Sequence, residues 1–246
     1  MKKYLIIYIA AMLLGNTGCQ MKQQPTAAPT AETSSVKVKA DTLAKSSMAL
    51  KMDSLGLVDI AQADSTIQIK LIYATPHNFM GEILYGELCE AYLHPLAMES
   101  LKKAQQLLKA QHPNYSLIVY DAARPMEVQR RMWNRVKGTA ESSYVSNPAN
   151  GGGMHNYGLA VDLTIVDEKG EPLDMGTKFD HFGAEAHIDH EDELVNKGLI
   201  TAEAKANREL LRRIMTAAGF STLKNEWWHF NRVSRKIAIK QYQLID

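Results

Sequence analysis

Two histidines and two carboxylates sit in two short apolar segments of this chain: His155 and Asp162 in MHNYGLAVDLTIV at 154–166, Glu226 and His229 in EWWHF at 226–230. His155, Asp162 and His229 make a three-ligand protein set for zinc, leaving the fourth position to water or substrate. The remaining carboxylate, Glu226, is of the type that takes a proton from an attacking water and passes it to a leaving amine. Spacing says how each half must be held. His155 and Asp162 are seven residues apart, which puts them on one face of a helix but on opposite faces of an uninterrupted strand. Gly158 and the β-branched Val161, Thr164, Ile165 and Val166 disfavour a helix, so His155 belongs on a loop or turn and a strand starts near Leu159. Asp162 then lies within that strand, where a carboxylate is costly to bury unless it is paired, hydrogen-bonded or bound to a metal. Glu226 and His229 are three apart and would face opposite sides of a regular strand, so Glu226 is expected in the turn after Leu223 and only His229 on the strand.

Singly, each residue has a plainer role: His155 a loop histidine, Asp162 a hydrogen-bonded turn partner, Glu226 a solvated charge before a tryptophan pair. The gap between the two segments adds no check, because it depends on the fold. His181, His187 and His190, among Asp189, Glu191 and Asp192, form a rival cluster, but no periodic element around them fixes a ligand geometry, and they read as a solvated lid. Trp227 and Trp228 read as core and pocket wall. Ser142, Ser143 and Ser146 carry no nucleophile motif.

The elements that must position these residues follow from periodicity. Ile67, Ile69, Leu71 and Tyr73 alternate with polar residues as a half-buried strand does. Pro95 opens a helix with Ala97, Leu101, Ala104 and Leu108 inward, closed by His112-Pro113. Leu117 to Tyr120 is a short buried strand. Pro125 suits a first helical position, which places Arg124 at the N-cap, an odd place for a side chain with no acceptor. Residues 138–153 are a long connection with three consecutive glycines, and a connection of that length is more often functional than idle. Residues 173–193 read as irregular and acidic. Thr201 caps a helix to Ala218 with Gly219 beyond it, and Phe220 to Val233 returns to strand. This order predicts one α+β domain over 55–246, with helices packed on a mainly antiparallel sheet.

The 246 residues carry a formal net charge of +1, with 46% hydrophobic and 22% charged residues, an ordinary globular balance with no basic face for nucleic acid. Lys2 and Lys3 precede an apolar run from Tyr4 to Leu14 that is too short to span a membrane and reads as an export signal, 1–19. Gly18-Cys19 resembles the end of a bacterial lipoprotein signal, although Asn16 stands where leucine is usual. That likeness implies a lipid on Cys19 and a place in the periplasm or cell envelope, and the Gln-, Ala-, Thr-, Ser- and Lys-rich stretch 20–54, with Pro25 and Pro29 and no apolar period, reads as a flexible tether. Cys19 and Cys89, one of them in a tail, do not make a disulfide framework.

YDAARP at 120–125, MHNYGLAVDLTIVD at 154–167, LDMGTKFD at 173–180 and NEWWHF at 225–230 resemble, in order, the zinc D-alanyl-D-alanine dipeptidase family, and IKLIYATPHNFMGE at 69–82 extends the likeness upstream. The resemblance implies a D-Ala-D-Ala metallopeptidase/hedgehog-like fold with a zinc site between strands and loops. It implies one zinc ion held by His155, Asp162 and His229, and Glu226 as the catalytic base. It gives Arg124 the task of polarising the scissile carbonyl and stabilising the oxyanion. Asp180 is implied to bind the free ammonium of a small D,D-dipeptide, with Asp174 as competitor. One departure is Gly153, where the family often has serine. The rival functions are a D,D- or L,D-peptidase of longer peptidoglycan peptides and a non-catalytic wall-peptide binding lipoprotein.

Overall fold

The computed structural model describes residues 45–246; the signal segment, Cys19 and most of the expected tether lie outside the described residues. The first described element is helix α1, Ser47–Ser54, whose N-cap Ser46 accepts a hydrogen bond from the Ala49 amide. Ala49 and Met52, one turn apart, are fully buried. Packed structure therefore starts before the expected boundary at Leu55, because the end of the expected tether supplies an apolar face to the core.

After α1 come β1 (Val58–Asp59), α2 (Ile60–Ala63), β2 (Gln68–Ile69), β3 (Tyr92–Leu93), α3 (Pro95–Gln111) and β4 (Ser116–Asp121). They are followed by α4 (Met126–Val136), β5 (Ala160–Val166), α5 (Glu191–Asn196), α6 (Ala202–Ala217), β6 (Ser221–Leu223), β7 (Glu226–Asn231) and α7 (Arg235–Gln241). Five strands form one sheet in the order β2-β4-β5-β7-β6, and within it only β2–β4 is parallel. β1 and β3 pair separately. The α+β architecture with a mainly antiparallel sheet is the one the sequence predicts.

Strand alternation gives the sheet two faces. Leu117, Val119, Val161, Leu163 and Ile165 share one core with Leu101 and Leu108 of α3 and Leu211 and Ile214 of α6. Ile118, Tyr120 and Val166 belong to a separate cluster, covered by Ile72 and Phe179. Asp162 alternates with the first set and so shares its side of β5 with Thr164 and Val166.

Several local expectations need correction. The alternating burial over 67–73 is real, with Ile67, Leu71 and Tyr73 buried, but only Gln68–Ile69 pairs as strand; Ile72–Ala74 turns as a 3-10 helix and brings Tyr73 inward. Arg124 is not the N-cap of α4. Pro125 keeps an extended ψ of 148°, so the helix starts at Met126, whose amide is taken by the Ile245 carbonyl. The 173–193 stretch is not wholly irregular, since it contains a 3-10 turn and the start of α5.

Candidate metal centre and active site

Three adjacent strands line up an acidic and imidazole row. Across β4 and β5 Asp121 pairs with Asp162, after a register shift that skips Tyr120, and across β5 and β7 Asp162 pairs with His229. His155 joins the row from the 3-10 turn Met154–Tyr157, which ends at Gly158 in the left-handed region (φ 64°). Only glycine fits there: a Cβ on Gly158 would lie 2.9 Å from the His94 backbone nitrogen. This tight turn places His155 beside Asp162, which the sequence spacing alone could not show.

Glu226 is the first residue of β7, paired with Leu223, rather than part of the preceding turn. Between the Leu223–Glu226 and Thr222–Phe230 pairs, β7 carries Trp227, Trp228 and His229 without partners on β6. That bulge cancels the alternation expected of residues three apart. Glu226 Oε2 consequently lies 3.9 Å from His229 Nδ1, and both side chains face one cavity.

The ligating atoms of His155, Asp162 and His229 all lie within 4.8 Å of one another, and the three residues are buried. His155 Nδ1 is 2.7 Å from the Ala122 carbonyl, an acceptor only, so Nδ1 donates and Nε2 turns its lone pair inward. His229 Nε2 likewise faces Asn231 Oδ1 at 2.8 Å, leaving Nδ1 toward the site. The inward atoms are separated by 3.1 Å (His155 Nε2 to His229 Nδ1), 3.3 Å (His155 Nε2 to Asp162 Oδ1) and 2.9 Å (His229 Nδ1 to Asp162 Oδ1). These are close to the ~3.3 Å edge of a tetrahedron whose metal–ligand bonds are ~2.0 Å. Lone pairs so aimed at one point repel unless a cation or proton lies among them, and the donor set fits a zinc-type ion. The charges agree: burial opposes charge on His155, but the Asp162 and Asp121 carboxylates outweigh it and raise its pKa. Burial also works against ionisation of Asp162, yet His155 and His229 hold its carboxyl well below the usual range.

Arg124 is buried against the same cavity. Its Nε donates to Asp121 Oδ2 at 3.0 Å, its Nη2 contacts the same oxygen, and its Nη1 donates to Gln129 Oε1 at 2.9 Å. Tyr85 donates to the other Asp121 oxygen, and Gln129 is itself held by the Ser146 carbonyl at 2.7 Å. The guanidinium stacks over Tyr73 with 5.3 Å to the ring centroid. Of its five N–H groups, one on each terminal nitrogen remains for a ligand. Asp180 lines the cavity too, held at a positive φ of 60° with both oxygens accepting from Tyr73 Oη at 2.9 Å. Asp174 is exposed and bonded to the Gly176 amide, so it is no competitor. Burial raises the carboxyl of Asp180 to about 8 against the Tyr73 hydrogen bond, and burial raises Glu226 to about 8 against the pull of His229. The cavity of about 290 Å³ is small for a ligand pocket.

A family model described as D-ala-D-ala dipeptidase, Peptidase_M15, matches residues 53–244. The chain belongs to this family. Among its relatives are the D-alanyl-D-alanine dipeptidase of Escherichia coli (strain K12), 35% identical over 72% of this chain and 85% of that protein. Those of Enterococcus faecium and Streptomyces coelicolor are 31% and 33% identical, each over 64% of this chain and 82% of its own. This M15 peptidase departs from the family likeness at Gly153, and the structure shows what stands there instead. A Cβ on Gly153 would lie 2.9 Å from Ser146 Oγ, so the hydroxyl of the 138–153 connection occupies that space at the cavity wall.

The rival histidines do not converge. His181 meets Glu185 at 3.0 Å, His187 meets Tyr144 Oη at 3.2 Å, and among the described residues the one metal-type cluster is His155, Asp162 and His229. Nor is their segment a loose lid: buried Arg208 of α6 donates to the carbonyls of Met175, Glu185 and His187. Sequence reasoning gave no role in the site to Asp121, Tyr73, Tyr85, Gln129 or Arg208. Asp121 and Gln129 were within reach, three residues before and five after Arg124; Tyr73, Tyr85 and Arg208 come from remote segments.

Proposed function

We propose that this M15 peptidase is a zinc-dependent dipeptidase that hydrolyses D-alanyl-D-alanine, or a closely related D,D-dipeptide, to free D-alanine in cell-wall peptide turnover. The observation that carries the reading is the convergence of His155, Asp162 and His229 with Glu226, Arg124 and Asp180 on one small cavity. The names of the relatives supply the substrate.

Zinc held by His155, Asp162 and His229 would supply Lewis-acid activation of water and of the scissile carbonyl. Glu226, on the same side of β7 as His229, accepts the proton of the attacking water and returns it to the departing amine. Arg124, oriented by Asp121 and Gln129, directs its two remaining N–H groups at the carbonyl oxygen and at the charge that develops there. Asp180 meets the free ammonium of the substrate. An acylated nitrogen, as in a longer peptide, would leave that carboxylate without its counter-ion, which favours a dipeptide.

The deciding experiment is D-alanine release from D-Ala-D-Ala by the purified domain, with a chelator and with zinc added back. Chelator-sensitive release restored by zinc supports the reading. Release only from longer wall peptides would replace the dipeptidase by a peptidoglycan peptidase, and inactivity on both would leave a wall-peptide binding protein.

We also infer export, with a lipid on Cys19, from the Lys2-Lys3 start, the apolar run to Leu14 and Gly18-Cys19. An enzyme so placed reaches wall-derived dipeptide rather than the cytosolic pool, which makes recycling or scavenging its role. The mass of the mature N-terminal peptide tests for the lipid, and an unprocessed protein in the cytoplasm would overturn the export reading.

A further inference from the structure

The cavity wall carries three carboxylates, Asp162, Asp180 and Glu226, and two permanently cationic side chains, Arg124 and Arg235. Arg124 is committed to Asp121 and Gln129 and faces the reacting centre. Arg235 is different. It lies at the exposed rim, just past β7, and its Nη2 donates to the backbone carbonyl of Asn150, a neutral acceptor. None of the ion pairs among the described residues includes it. That bond holds the guanidinium against the cavity while its charge has no carboxylate partner among the described residues, and a fork of N–H groups so held matches a carboxylate.

Arg235 and Asp180 line this cavity from different parts of the chain. Asp180 is held by Tyr73, in the turn after β2, whereas Arg235 is held by Asn150, in the 138–153 connection on the side of β7 and α7. The His155–Asp162–His229 set and Arg124 belong to the same cavity. A free dipeptide is a zwitterion with one charge at each end, and the cavity offers one ion of opposite sign for each.

We propose that Arg235 binds the free C-terminal carboxylate of the substrate, so that the pocket recognises a dipeptide by both charged ends, Asp180 at the amine and Arg235 at the acid. This rests on the dipeptidase reading. An internal peptide bond of a longer chain, or an amidated dipeptide, lacks the carboxylate and loses the Arg235 contact.

The test compares D-Ala-D-Ala with its C-terminal amide. Binding is measured by calorimetry on zinc-loaded protein in a Glu226→Gln background, with Arg235 intact, Arg235→Ala and Arg235→Lys, and turnover of both compounds is measured with Glu226 present. With Arg235 intact the acid should bind roughly tenfold or more tighter than the amide, the scale of a hydrogen bond to a charged group. Arg235→Ala should erase that preference by weakening the acid alone, and Arg235→Lys should restore part of it. In turnover, Arg235→Ala should raise KM for the acid and leave kcat within about threefold, as loss of uniform binding does. Equal affinity for acid and amide with Arg235 intact overturns the proposal while the dipeptidase reading stands on turnover. An equal loss for both compounds in Arg235→Ala also overturns it, showing that Arg235 only holds the Asn150 connection. Absence of both binding and turnover overturns the dipeptidase reading and this assignment with it.

Discussion

At the residue scale the site is a concentration of acids whose protonation is set by what surrounds them. Asp180 illustrates the sign: burial raises its carboxyl from 3.8 to about 8 in the folded chain, so between those values the folded state holds a proton that the unfolded chain has released. Stability contributed at this position is therefore lost as pH rises through that window. Asp180→Asn should melt higher than the parent in metal-free protein, with the gap widening from pH 5 to pH 8 and level above; a gap independent of pH would sink this account. An ammonium ligand reverses the preference, so dipeptide binding near neutral pH should release a proton, seen as calorimetric heats that depend on the buffer. Glu226 makes a sharper case. Glu226→Gln keeps the shape and all three metal ligands, so bound zinc should be unchanged while kcat falls by about 10²- to 10⁴-fold, the usual share of a general base. Activity largely intact in that variant would remove Glu226 from the mechanism.

At the scale of elements, two irregularities build the site. The 3-10 turn that ends at Gly158 folds His155 back beside β5, and the unpaired stretch Trp227, Trp228, His229 in β7 turns Glu226 and His229 to one side. Gly158→Ala should cost about 1–3 kcal/mol in urea unfolding of metal-free protein, because alanine is strained at φ 64° and its Cβ meets the His94 backbone. Zinc affinity should fall as well, since His155 is part of the same turn. A neutral substitution would mean that the turn can relax without moving the histidine. Arg208 does comparable work for the substrate side. Its guanidinium, buried in α6, is hydrogen-bonded to three carbonyls of the segment that carries Asp180, which fixes a stretch whose regular structure between Met175 and His187 is one 3-10 turn.

At the scale of the whole molecule, the metal set joins three separate stretches of chain: the turn before β5, β5 itself and β7. An ion bound there ties the centre of the sheet together and binds only the folded state. Zinc at about a hundredfold its Kd should raise Tm by roughly 5–10 °C for a domain of this size, and His155→Ala should abolish the shift. A Tm indifferent to zinc and chelator would argue against a metal at this site. The sequence by itself determined the side-chain types of the candidate metal set, the strand that carries Asp162, the helix opened by Pro95, the helix capped by Thr201, and the α+β class, because these rest on local periodicity and on side-chain chemistry. It set Arg124 at a helix N-cap, which the structure corrects to Pro125, and noted only that arginine is a poor cap. It could not show that Asp121, Asp162 and His229 fall in one row, since cross-strand register and bulges depend on pairing between distant segments. Nor could it show that Tyr73, although one period out of a broken strand, holds Asp180 across 107 residues of chain. Ser146 fills the space beside Gly153 for the same reason: contacts between remote segments are set by how the chain packs, and only the tertiary structure decides them.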